Sequence, residues 1–396
     1  VALAPNTYAA PGAPVAPGVT GKTSGNVLLL VPLSGQYAAA GEALANAAKL
    51  AFANVTSPAL DIRDTQGTAD GAAAAAQAGI AAGDGLILGP LTSAETKAVS
   101  PIAQSADVNM LAFTNDGTVA APGVWPLGIT PAQQVQRVLQ AAADSGRTQL
   151  AALLPDDDFG HHLSDAITAE TQALNEPAPQ ITFYGSDSDA AQQAALSLSD
   201  YQDRGAGIDA QIKQAKEEGT PAGYERAREL MHQQVPPPSF NALFIGTTDA
   251  NTLALLASFL PFYYVDPPQV QFLGPALWSS LASQMASQPV FLGAMFAAPD
   301  PAAAQAFDAK YQAAYGEAPP VIAGLGFDAA AIARLAAASG GYTSSVLTAP
   351  AGFTGTDGVL VLEANGSVKR GLAVFSVAPG QPSLTSPAPA TLPSGT

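Results

Sequence analysis

With 396 residues, 48% of them hydrophobic and only 12% charged, the chain is too long for one ordinary core and rich enough in apolar residues for two. Its formal net charge of -17 repels phosphate backbones and anionic lipid, which excludes nucleic-acid binding from the expected functions. The absence of cysteine excludes disulfides, thiolate catalysis and zinc–sulfur sites, and no apolar run reaches the roughly 18 residues of a membrane span.

Residues 1–24 are dominated by Ala, Pro and Gly, a composition that predicts a flexible tether. The sequence opens on Val1, so the expectation is a removed leader, an exported and periplasmic protein, and a lipid anchor in the removed part. Val27–Val31 is wholly apolar, as a parallel strand buried on both faces requires. After the turn Pro32-Leu33-Ser34-Gly35, an Ala-rich helix is predicted over 38–55 and a strand over 59–63, ended by Asp64. A helix over 69–82, a strand over 85–88, a helix over 93–106 and a strand over 109–113 follow. Such strict alternation predicts an α/β layer with a doubly wound parallel sheet.

The rhythm restarts with a helix over 133–143 and a strand over 150–154, then a helix over 160–174 and a strand over 180–184. Further strands are predicted at 242–245 and 270–273, around a helix at 250–259. Two similar sheets predict two lobes of one architecture. Open sheets bind ligands outside the carboxyl ends of their strands, so a cleft between two such edges is the expected ligand site. Residues 201–238 interrupt the pattern with Arg204, Lys213, Lys216, Arg226 and Arg228 among many acidic residues. They predict two polar helices split at Gly219-Thr220-Pro221 and stopped by Pro236-Pro237-Pro238. This excursion reads as a solvated surface or, more sharply, as a docking surface for a partner protein.

The residue types of catalysis are scarce. His161 and His162 are adjacent and therefore diverge on a helix, His232 stands alone, and no metal site is expected. The run Asp156-Asp157-Asp158 lacks the spacing of a calcium loop and reads as a helix start. No nucleophile elbow and no phosphate loop occurs. Gly324-Leu325-Gly326-Phe327-Asp328-Ala329 has the letters of a dinucleotide fingerprint without its strand or its distal acid, and reads as a tight entry into a helix over 328–338. No catalytic residue, cofactor or metal is expected, and a binding protein is a better reading than an enzyme.

The strand-end loops carry a resemblance. In order they are Val31-Pro32-Leu33-Ser34-Gly35, Asp64-Thr65-Gln66-Gly67, Gly89-Pro90-Leu91-Thr92-Ser93, Phe113-Thr114-Asn115 and Asp156-Asp157-Asp158-Phe159-Gly160. Phe353-Thr354-Gly355 and Asn365-Gly366 close the series like a last crossover hairpin. This order resembles the leucine/isoleucine/valine-binding family, the type I solute-binding proteins of ABC importers, over about residues 25–377. The resemblance implies a type I periplasmic-binding-protein fold. Lobe 1 would comprise 25–130 and 299–350, lobe 2 would comprise 131–298 and 351–378, and 379–396 would be a flexible tail.

The resemblance also implies a small ligand, an amino acid or related carboxylate, and an ABC permease as partner. Ser93, Ala112 and Thr114 match the positions that take the ligand carboxylate, with Ser34 on the same face, and Ser93 opens a helix whose amides favour an anion. Phe159 matches a covering aromatic, and Thr247 or Thr248 stands where another is common. Ala276 occupies the place of the acid that answers a ligand ammonium, so an ordinary α-amino acid is not the expected ligand. Carboxylates lacking the ammonium are expected to do better. The stretches Gly89-Pro90-Leu91-Thr92-Ser93-Ala94-Glu95, Phe262-Tyr263-Tyr264-Val265-Asp266-Pro267 and Ala297-Ala298-Pro299-Asp300-Pro301 are similar to alphaproteobacterial penicillin-binding protein activators. That subgroup implies the alternative function, regulation of peptidoglycan synthesis through contact with a cell-wall synthase.

Overall fold

The computed structural model describes residues 19–185, 187–231, 235–247 and 249–392. His232, Thr248, residues 1–18 of the expected tether and 393–396 of the expected tail lie outside them. The chain divides into two units. Unit 1 holds Val1–Thr130, Pro299–Leu372 and Ala388–Thr396; unit 2 holds Pro131–Ala298 and Ala373–Pro387.

The first pass through unit 1 runs β1 (Val27–Val31), α1 (Ala38–Ala51), β2 (Leu60–Asp64), α2 (Ala69–Ala81), β3 (Leu86–Leu88), α3 (Ser93–Ser105), β4 (Asn109–Ala112) and β5 (Val124–Pro126). A 3₁₀ turn, Gly117–Val119, precedes β5. The strands lie in the order β2-β1-β3-β4-β5, with every pairing parallel. All residues of β1, β3 and β4 are buried, which is why these strands read as unbroken apolar runs rather than alternating ones. Thr68 starts α2 by accepting the Gly71 amide at 3.1 Å, one of the donors that a helix leaves without a partner at its first turn.

Unit 2 follows with α4 (Pro131–Asp144), β6 (Leu150–Pro155), α5 (Asp158–Ala173), β7 (Gln180–Tyr184), α6 (Ser188–Leu198), α7 (Tyr201–Arg204), α8 (Ala206–Glu217), α9 (Pro221–Met231), β8 (Ala242–Ile245), α10 (Ala250–Phe262), β9 (Gln271–Gly274), α11 (Trp278–Met285) and β10 (Met295–Ala298). The chain then re-enters unit 1 through α12 (Pro301–Tyr315), α13 (Ala323–Ala338), α14 (Ser344–Leu347), β11 (Phe353–Gly355), β12 (Gly358–Leu362) and β13 (Val368–Arg370). It ends in unit 2 with β14 (Ala373–Ser376) and β15 (Ser383–Ser386).

The seven-stranded sheet of unit 2 has the order β15-β14-β10-β9-β8-β6-β7. β10, β9, β8, β6 and β7 pair in parallel, whereas β14 runs antiparallel to β10 and β15 antiparallel to β14. Ser383–Ser386, in the stretch expected as a flexible tail, therefore supply an edge strand. Phe272, Phe291, Phe296 and Trp278 fill the core beside this sheet, and Trp278 Nε1 donates to the Thr247 carbonyl at 2.9 Å. The polar excursion forms three helical segments, α7 to α9, where two were expected. Arg204 anchors it through the carbonyls of Ser199, Pro236 and Tyr263 at 2.6, 2.7 and 2.9 Å. The Tyr201 and Tyr264 hydroxyls both donate to Asp209, at 2.6 and 2.8 Å. Burial, then the Asp209 carboxylate, pushes the Tyr201 phenol up to about 12.

Three further expectations are corrected in unit 1. The three-stranded antiparallel sheet β11-β12-β13, expected in lobe 2, belongs to unit 1, which continues to Leu372 rather than ending at 350. Side chains of the first pass hold it there: Trp125 Nε1 donates to the Glu363 carbonyl at 2.8 Å, and Arg370 donates to the Leu127 carbonyl. Asp328, fully buried in α13, accepts the Thr356 amide at 2.8 and 2.9 Å and the Thr356 hydroxyl at 3.1 Å. Burial, then Asp357, pushes the Asp328 carboxyl up to about 7.

The helix expected to start at 328 starts at Ala323, so Gly324 and Gly326 lie inside it. A Cβ on Gly326 would stand 2.5 Å from the Leu44 carbonyl of α1, so the glycine permits close helix packing. Residues 19–24 of the expected tether are also docked. The Thr20 amide and hydroxyl donate to Asp107 at 2.8 and 2.7 Å, and the Tyr342 amide donates to the Lys22 carbonyl at 2.7 Å.

Candidate functional site

The connections after β1, β2, β3 and β4 gather the unit 1 residues singled out from the sequence. Ser34, just past β1, donates its hydroxyl to Asp64 at the end of β2 at 2.7 Å. The other Asp64 oxygen accepts the amides of Leu33 at 2.8 Å and Gln66 at 2.7 Å. Partial burial acts to raise the Asp64 pKa, but the Ser34 hydroxyl and these amides outweigh it and hold the carboxyl below its usual range.

At the next connection, Thr92 and Glu95 form a reciprocal cap on α3. The Glu95 amide donates to Thr92 Oγ1 at 3.2 Å, and the Thr92 amide donates back to Glu95 at 2.8 Å. Glu95 is wholly buried and also accepts the Thr65 hydroxyl at 2.5 Å. Ser93 donates its hydroxyl to the Asp116 carboxylate. The Asp116 amide in turn donates to Thr114 Oγ1 at 3.1 Å. Asp116 also accepts the Thr118 amide at 2.9 Å and the Thr118 hydroxyl at 2.6 Å, and lies 3.6 Å from Lys97. Burial works to raise its pKa; the Ser93 and Thr118 hydrogen bonds and the Lys97 charge prevail and bring it down to about 2.

Ser93 and Thr114 are thus brought together through one residue, Asp116. Ala112, the last residue of β4, is fully buried, and its carbonyl accepts the Leu127 amide at 2.8 Å. Ser34 belongs to a neighbouring network centred on Asp64. Three carboxylates, Asp64, Glu95 and Asp116, already draw on the hydroxyls and helix-start amides of this face. The start of α3 thus carries negative charge of its own, a difference from the neutral donor set expected there.

The unit 2 residues stand at the carboxyl ends of β6, β8 and β9. Phe159 is half-buried at the start of α5, where Asp157 caps the helix by accepting the Gly160 amide at 2.8 Å. Asp156 instead lies 3.1 Å from His161, whose ring packs on Phe183 with centroids 4.7 Å apart. Thr247 is buried; its hydroxyl accepts the Asp249 amide at 3.1 Å and bonds to the Tyr184 phenol. Burial pushes that phenol up against the opposing effect of this hydrogen bond. Ala276 donates its amide to Gln134 Oε1 at 2.8 Å, so an amide oxygen stands beside the place where an acid was sought. Among the described residues, no group of three or more His, Cys, Asp or Glu could hold a metal, and no helix is long and apolar enough to cross a membrane.

Sequence reasoning missed Asp116, Glu95 and Tyr184. Thr92-x-x-Glu95 was a visible capping-box spacing. Asp116-Gly117-Thr118 has the composition of a side-chain-capped turn. Nothing local in the sequence ties Asp116 to Ser93, 23 positions away.

A model of the family described as "Periplasmic binding protein" matches residues 26–366. The chain belongs to the periplasmic binding protein family. Members of this family are receptors rather than enzymes, and the two mainly parallel sheets are those of its type I fold. No curated protein sequence matches the chain. Full-length LpoA from Haemophilus influenzae shares 16% identity over 91% of this chain, with a TM-score of 0.65; the chain spans 59% of that protein's length. The LpoA C-domain, described as a regulator of PBP1A, is covered over 99% at 17% identity, with 91% of this chain and a TM-score of 0.63. The leucine-binding protein LivK from Thermotoga maritima shares 18% identity over 91% of this chain and 98% of its own, with a TM-score of 0.53. A solute-binding protein of an ABC transporter from Rhodopseudomonas palustris, in complex with 3,4-dihydroxybenzoic acid, shares 17% identity over 95% of this chain and 99% of its own, with a TM-score of 0.58. At these identities the periplasmic binding proteins share a fold.

Proposed function

We propose that this protein is a solute-binding receptor of the ABC-importer kind, which engages a small carboxylate at the strand-end face of unit 1 through Ser34, Ser93, Ala112 and Thr114. The observation that carries this reading is that the Ser93 hydroxyl, at the start of α3, already serves a carboxylate, that of Asp116, while Thr114 Oγ1 accepts the Asp116 amide beside it. Phe159, Thr247 and Ala276 form a second candidate face on unit 2. The complex of the Rhodopseudomonas palustris protein with 3,4-dihydroxybenzoic acid supports the ligand class. An α-amino acid fits less well, because Ala276 and its neighbour Gln134 offer no charge to an ammonium. Calorimetry with benzoate, 3,4-dihydroxybenzoate and leucine tests the reading. Weak but measurable binding of the aromatic carboxylates is expected, with leucine weaker still. Micromolar leucine binding that is lost on Ser93→Ala would return the protein to ordinary amino-acid capture, and no heat from any solute would sink the receptor reading.

A second reading, contact with a cell-wall synthase, is favoured by the α7–α9 excursion. Arg204 and Asp209 anchor its base, while Tyr224 and Met231 stand 51% and 61% exposed on α9. The fold shared with the LpoA C-domain is compatible with it. A purified peptidoglycan synthase retained by the wild-type protein, and not by a Tyr224→Ala/Met231→Ala variant, would support this reading; equal retention by both would remove the excursion from it.

A further inference from the structure

We propose that Asp116 is a built-in competitor for the carboxylate subsite: its side chain occupies the Ser93 hydroxyl that an incoming carboxylate would use, and so sets the resting site against small anions. The inference rests on the ligand face proposed above and adds what controls it. Asp116 divides two tasks between its oxygens. Oδ1 starts the 3₁₀ turn, taking the Thr118 amide at 2.9 Å and hydroxyl at 2.6 Å. Oδ2 takes the Ser93 hydroxyl and lies 3.6 Å from the Lys97 ammonium. Capping the turn needs only the first oxygen. The second is placed on the hydroxyl assigned to the ligand, and Thr114 fixes the Asp116 backbone from the other side.

Three hydrogen bonds already fill most of the about four acceptor positions of this carboxylate, and Lys97 stands 3.6 Å away, which leaves little capacity for a ligand ammonium. Its charge also opposes a second carboxylate at close range, with Lys97 as the cation beside it at 3.6 Å. A ligand carboxylate must therefore displace the Asp116 side chain before it can bond to Ser93. Its apparent affinity falls by the fraction of molecules in which the cradle is open.

Asn caps turns and helices as well as Asp does, so Asp116→Asn keeps the cap while it removes the charge and turns a competing acceptor into a donor. Calorimetry with benzoate at pH 7, on wild type, Asp116→Asn and Asp116→Ala with unchanged melting transitions, tests the proposal. Both variants are expected to bind benzoate at least about tenfold more tightly than wild type, and adding Ser93→Ala should abolish the gain. Equal or weaker binding by both folded variants overturns the competitor, as does a gain that survives Ser93→Ala. If the wild type binds a carboxylate and the variants bind it no better, the competitor falls while the receptor reading stands. If only the variants bind, the competitor stands and the receptor reading falls.

Discussion

Alanine lines the packing of α1 and α13 in unit 1, whereas aromatic rings fill the space around Trp278 in unit 2. In unit 1, Ala43, Ala47, Ala48 and Ala51 of α1 and Ala323, Ala329, Ala330, Ala333 and Ala336 of α13 are all buried in one core. In unit 2, Phe272 and Trp278 pack their rings on Phe291, with centroids 5.9 and 6.2 Å apart, and Phe296 lies in the same cluster. Small side chains let helix backbones approach closely, as at Gly326 and Leu44. Large rings fill a wider gap and supply more apolar area per residue. These two regions therefore have opposite weaknesses: added volume should damage the α1–α13 contact, and removed volume should damage the ring cluster around Trp278.

The largest expected effect is Trp278→Ala. It deletes a fully buried ring and its hydrogen bond to the Thr247 carbonyl, and should cost about 3–5 kcal/mol. Urea unfolding followed by circular dichroism measures it, and a cost under about 1 kcal/mol would show that unit 2 does not depend on its rings.

Next comes a pH dependence centred on unit 1. Asp328, raised to about 7 by burial and then by Asp357, keeps a proton in the folded chain that the unfolded chain releases near pH 4. Asp84, raised to about 6 by burial and then by Asp61, acts in the same sense. Between these values the folded state binds more protons, so stability should fall as pH rises from about 4 to about 7, by up to ~1.4 kcal/mol per pH unit for each group. Asp328→Asn should flatten much of this slope. An unchanged slope in urea midpoints between pH 5 and pH 8 would mean that Asp328 is ionised throughout.

The smallest expected effect sharpens the contrast from the other side. Ala330→Leu adds three carbons where none fit and should cost about 1–3 kcal/mol. A neutral or stabilising result, read from the same urea curves, would show that the α1–α13 contact has room to spare.

Secondary structure was legible wherever the chain's local pattern decides it. The strands at 180–184 and 242–245 were read at their observed bounds because each is a short run set off by turn residues. The beginning of α13 was not, since Gly324 and Gly326 locally favour a loop; only α1 on the other side makes those glycines helical. The placement of β11 to β13 escaped for the same reason, because Trp125, Leu127 and Asp328 hold them from far away in sequence. At the candidate site, Ser93 and Thr114 could be proposed from the order of the strand-end loops. Their engagement by Asp116 could not, because a hydroxyl and a carboxylate 23 residues apart meet only once α3 and the Gly117–Val119 turn are in place.

The final pair of strands also imposes an order of events during synthesis. β14 closes the side of β10 but is synthesised well after it, with α12 to β13 of unit 1 in between. Until Ala373–Ser376 is available, β10 offers a row of unpaired amides and carbonyls along Met295–Ala298, bordered by the buried rings of unit 2. An open edge of this kind is a template for another chain. A nascent or truncated molecule ending before Ala373 would carry that edge for its whole lifetime, and its fate would depend on holding chaperones and proteases rather than on its own fold.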